Sequence, residues 1–100
     1  MKRRKRSIKE TVEHPTRRKW IEALWHSSEA LSPKRFHSEF LDAETASHST
    51  AVYHVEVLVS EGIATLDRAV QGGSGGRESF FVLGGPNSVE ALRRLELTTT

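Results

Sequence analysis

Between Ser47 and Ser60 the chain reads SHSTAVYHVEVLVS, and six hydrogen-bonding side chains (Ser47, His48, Ser49, Thr50, Tyr53 and His54) fall within its first eight residues. Advancing about 100° per residue, a helix with Ala51, Val55 and Leu58 inward turns Ser49, Tyr53, Glu56 and Ser60 outward. Thr50 and Val57 then lie at the edge of the outer face, and His54 lies between core and solvent. Hydroxyls on such a face can reach both base edges and phosphates in a DNA major groove. The plainer alternative is a solvated helix face with no partner.

Other chemistries find little support. There is no Cys, which removes thiolate metal sites, disulfides and cysteine nucleophiles. The five histidines, His14, His26, His37, His48 and His54, include no pair at metal-ligand spacing with an acidic partner. QGGSGG at 71–76 lacks the Lys-Ser/Thr that follows in a phosphate-binding loop. With no nucleophile beside a base, the chain reads as a non-enzyme that needs no cofactor or metal.

Charge points to a partner. The net charge of +2 conceals nine Lys or Arg against two acids in residues 1–19, and six against eleven in the rest. A basic segment thus precedes a mildly acidic body. Such arms bind nucleic acid through phosphates with strong salt dependence, and they also serve as solubilising tails. One hundred residues suit one domain with a modest core. No apolar run approaches a membrane span, and no apolar stretch follows the basic start as in a secretory signal. The expected location is the cytoplasm, without membrane association.

The elements that must hold these residues follow in order. Residues 1–13 read as a flexible basic arm. Pro15 opens a first helix with Trp20, Ile21, Leu24 and Trp25 at helical spacing, ending near His26 to Ser28. Two Trp on one helix suit core or dimer contacts better than a ligand box. Ser32-Pro33 caps a second helix with Phe36, Phe40 and Leu41 inward, and 42–46 is a polar turn. The third helix starts at Ser47 or His48 and stops at Gly62, the residue type best able to turn left-handed; its inner face also includes Val59. Ile63 to Leu66, extending toward Val70, and Arg77 to Leu83 form two strands around the glycine-rich loop, with Arg68 and Arg77 flanking it. Asn87 or Ser88 caps a last helix with Val89, Leu92 and Leu95. The fold class is mainly α with a small β-hairpin (α+β): a winged helix-turn-helix over 14–85, with 86–100 as a C-terminal helix available for dimerisation.

From His14 to Leu83 the chain resembles winged-helix transcription regulators of the ArsR-like group. The likeness rests on HPTRRKWIEAL, LSPKRFHSEFL and STAVYHVEVLVSEGIATL, with HP…R…L…YH…VL…GI at this spacing. The resemblance implies a homodimer built from the first and last helices that binds operator DNA. It sets Ser47, His48, Ser49, Thr50, Tyr53 and His54 in the recognition helix and Arg77 on the wing. It also makes His54 a packing residue rather than a switch. Two features depart from the family. Glu56 stands where Lys or Arg is frequent, and no Lys or Arg occurs between Ser47 and Ser60. Backbone contacts are therefore expected from the arm, Arg17, Arg18, Lys34, Arg35, Arg68 and Arg77, with double-stranded DNA as partner. The competing expectation is a winged-helix module that contacts proteins. The sequence names no operator and no small-molecule effector.

Overall fold

The computed structural model describes residues 7–41, 47–71 and 76–97. Five helices and a two-stranded antiparallel hairpin make up these residues, an α+β winged-helix-like arrangement. The helices are α1 (Ile8–Glu13), α2 (Pro15–His26), α3 (Pro33–Phe40), α4 (His48–Ser60) and α5 (Ser88–Arg94). The hairpin, β1 (Ala64–Gln71) and β2 (Arg77–Leu83), lies between α4 and α5. Among the described residues no helix is long and apolar enough to cross a membrane. The expected arm at 1–6, the turn at 42–46 and the loop tip at 72–75 lie outside them.

α1 departs from the sequence reading, which left 1–13 as a flexible arm. Its start is a capping box: Ser7 Oγ accepts from Glu10 N (3.1 Å), and Glu10 Oε1 accepts from Ser7 N (3.0 Å). That satisfies two amide donors reciprocally. Thr11 and Val12 are buried and Ile8 packs on the core, three positions at i, i+3 and i+4 that form one face against α2 and α5. His14 then leaves helical geometry (φ −68°, ψ 129°), as the following Pro15 requires, and caps α2.

Trp20, Ile21, Phe36, Ala51, Val55, Leu58 and Ile63 are fully buried and join α2, α3, α4 and the hairpin in one core. Trp20 stacks on Phe36 with ring centroids 4.0 Å apart, and its Nε1 donates to Ala51 O at 3.0 Å. α2 and α3 thereby grip α4 from inside. Several expected inward positions face outward instead. Trp25, Phe40 and Val59 are exposed, whereas Val57, expected at the edge of the outer face, is buried. α3 ends at Phe40, and α4 turns its Ala51, Val55 and Leu58 stripe inward at the expense of Val59.

The hairpin pairs from Ala64↔Leu83 to Gln71↔Arg77, with an irregularity between Leu66 and Arg68 that sets Asp67 apart as a bulge. Strand β1 runs further than the apolar run suggested, because pairing with β2 carries it through Gln71. Leu31 forms an isolated antiparallel bridge with Phe81, its N–H donating to Phe81 O at 3.0 Å and its carbonyl accepting at 2.8 Å. The hairpin is thus pinned to the segment that starts α3.

Candidate nucleic-acid interface

Ser47 begins the site. Its hydroxyl accepts from Thr50 N (3.2 Å) and lies 3.1 Å from Thr50 Oγ1, so it serves as the N-cap of α4. This capping fixes the first turn, from which exposed His48 and Ser49 project and on which Thr50 is half-buried. One turn on, Tyr53 is 51% exposed; Glu56 and Ser60 are also exposed, so the outer face of α4 holds the residues expected there. At the other end Gly62 takes φ +76° and the chain turns directly into β1.

The hairpin stands beside the flank of α4 that carries His48, Val52 and Glu56, whereas Ser49, Thr50 and Tyr53 do not line the space between them. Ser32 is fully buried; its hydroxyl accepts from Arg35 N (3.2 Å) as the N-cap of α3 and donates to Glu78 Oε2 on β2. This bond and the Leu31–Phe81 bridge hold β2 alongside the start of α3 and the flank of α4. Between them runs a groove of about 380 Å³. Val52, Val55 and Phe81 supply apolar lining, His48 and Glu56 come from α4, Lys34 from α3, and Arg77, Glu78 and Ser79 from β2. Lys34 and Arg77 are exposed and form no ion pair among the described residues.

Sequence reasoning missed Val52, Glu78 and Ser79 as lining residues and Ser32 as the tie to the wing. A single bridge residue such as Leu31 has no periodicity to reveal it.

The remaining expected cations diverge. Arg17 is 7% exposed, and its Nε donates to Thr11 O at 2.8 Å, so it braces the end of α1 and does not face the groove. Arg17, expected at a DNA backbone, is instead covered by α1, a helix that the surrounding charge hides in the sequence. Arg18 is exposed near Glu22 (3.9 Å). Arg35 pairs with Glu39 (3.1 Å) and Glu29 (3.3 Å), and these carboxylates, Glu39 foremost, raise its pKa. Arg68 bonds Asp67 (2.9 Å) and lies over the Phe80 ring at 4.5 Å.

His54 is also corrected as a contact residue. It is 6% exposed, its ring 4.2 Å from that of His14 and 4.9 Å from that of Tyr53. It joins α4 to the start of α2, in keeping with the packing role. Burial, and then the nearby Arg17 charge, lower the pKa of His14, whose Nδ1 accepts from Thr16 N at 3.1 Å.

The arrangement offers a helix face with hydroxyls and one carboxylate, bordered by two cations that form no ion pair among the described residues. A phosphodiester backbone can meet Lys34 and Arg77 while α4 meets base edges. No family model matches this chain, and searches of curated proteins and of solved structures found no significant match.

Proposed function

We propose that this protein is a DNA-binding regulator of transcription that lays α4 in the major groove and sets its hairpin wing on the backbone. The observation that carries the reading is the groove between α4 and β2, at which Lys34 and Arg77 form no ion pair among the described residues. Ser49, Thr50 and Tyr53 make base-edge and phosphate contacts, and Lys34, Arg77 and the basic N-terminal residues supply the salt-dependent grip. The resemblance to ArsR-like regulators supports the same assignment. The protein works in the cytoplasm as a homodimer joined through α2 and α5.

The test is binding to random duplex DNA at two salt concentrations. Each lost phosphate contact makes the negative slope of log K against log salt shallower by about 0.9. Lys34→Ala/Arg77→Ala therefore flattens the slope by roughly 2, and neutralising Lys2, Arg3, Arg4, Lys5 and Arg6 flattens it further while weakening all sequences alike. An unchanged slope in the Lys34/Arg77 double variant rejects the groove as the interface.

A protein-binding module is the second reading, favoured by the neutralisation of Arg35 and Arg68 by neighbouring carboxylates and by the burial of Arg17. Loss of all duplex binding once the N-terminal cations are neutralised decides for it, since the body then grips no phosphate.

A further inference from the structure

We infer that Glu56 is a base-reading residue that selects cytosine in the major groove; the inference rests on the DNA-binding reading and adds its sequence preference. Glu56 is exposed on the outer side of α4 and lines the groove shared with Lys34 and Arg77. Glu22, Glu29, Glu39, Asp67 and Glu90 each have an arginine within 3.9 Å. Glu56 has no ion-pair partner among the described residues, although two cations border the same groove. Its carboxylate oxygens are therefore not taken up by an ion pair among the described residues and can meet what α4 meets.

A carboxylate can only accept hydrogen bonds. Turned to a phosphate it is repelled, and the phosphates have better partners in Lys34 and Arg77 at the groove rim. Turned to base edges it finds a narrow choice. Guanine offers the acceptors N7 and O6, and thymine the acceptor O4 beside a methyl group. Adenine offers the N6 amino group, but with the N7 acceptor next to it. Cytosine offers the N4 amino group without that adjacent acceptor. Cytosine is thus the base whose edge meets a carboxylate with attraction alone.

The experiment selects sequences from a randomised duplex library with the full chain, its Glu56→Gln variant and its Glu56→Ala variant. Binding of each to one unselected duplex is measured alongside. The native protein should enrich cytosine at one position, with other bases there weakening binding by roughly tenfold, within the usual range for a single base contact. Glu56→Gln should move that position to adenine, because a carboxamide can pair with N6 and N7 together. Glu56→Ala should lose the preference at that position alone and bind the unselected duplex more tightly, because a negative charge leaves the DNA face. If all three proteins bind DNA and enrich the same sequences, Glu56 reads no base and the inference falls while the functional reading stands. If none binds any duplex at low salt, the functional reading fails and takes the inference with it.

Discussion

His14 and Arg17 meet at the joint between α1 and α2, and their roles follow from how they are covered. Arg17 is held by a carbonyl at the end of α1, where a helix leaves acceptors unsatisfied and its dipole favours a cation. Its charge in turn adds to burial in opposing a proton on His14. A histidine whose folded pKa is lowered is protonated more readily in the unfolded chain. Its contribution to stability is therefore complete above the ordinary histidine value and is lost as pH falls through that value toward the lowered one. The drop in urea midpoint from pH 7.5 to 5.5 should shrink in His14→Asn, which keeps a capping acceptor but cannot titrate. An equal drop in both proteins assigns the acid sensitivity to other groups.

At the scale of elements, the decisive contact is a glycine crossing that fastens the end of α4 to the start of α5. Gly62 (φ +76°) and Gly85 (φ +118°) pass so closely that a Cβ on Gly85 would lie 2.5 Å from Gly62 O. Asn87 reinforces the crossing, its N–H donating to Gly62 O (2.9 Å) and its Nδ2 to Glu61 O (2.8 Å). Gly85→Ala is expected to destabilise by at least about 2 kcal/mol, from unfavourable backbone geometry plus backbone collision. At Gly84 a Cβ would meet only the Thr65 side chain at 3.2 Å, so Gly84→Ala should cost much less. Denaturant midpoints of the two variants check the order; equal losses reject the crossing as the cause. In sequence Gly62 was legible as a helix stop, because helix ends recur with that residue. Its partner at Gly85 was not, since close approach of segments 23 residues apart leaves no local pattern. The same contrast explains the rest. The α4 face was readable from its period and its Ser cap except at Val57 and Val59, and the strands from their apolar runs except for the end of β1, which pairing alone extends. α1 was hidden by the surrounding charge although Ser7-x-x-Glu10 marks its start, and the fates of Arg17, Arg35 and Arg68 depended on neighbours that spacing does not reveal.

For the whole molecule the face that matters is the one where Trp25 is exposed, a mixed surface on which Ser27, Ser28, Glu29, Asp67 and Ser88 stand among apolar side chains. The α2 pattern placed four large side chains on one stripe, and the fold buries Trp20, Ile21 and Leu24 but leaves Trp25 40% exposed. Trp25 borders a groove of about 590 Å³ with Leu24, Val82, Leu83 and Leu92, where the end of α2, the base of the hairpin and α5 come together. Val89 on α5 is 58% exposed. An indole left at such a junction is a suitable anchor for an interface, since aromatic side chains dominate hot spots and a stable contact needs about 800 Å² per partner. A two-fold pairing reads successive major-groove turns of one duplex only if its two α4 helices lie about 34–36 Å apart. Trp25→Ser removes the anchor from the surface and leaves the Trp20–Phe36 stack untouched, so its thermal unfolding should stay close to native. Sedimentation should then show native protein as a dimer and Trp25→Ser as predominantly monomer, with duplex affinity reduced because each half-site loses its linked neighbour. A native protein that sediments as a monomer at tens of micromolar, or a variant that remains dimeric, refutes pairing through this face.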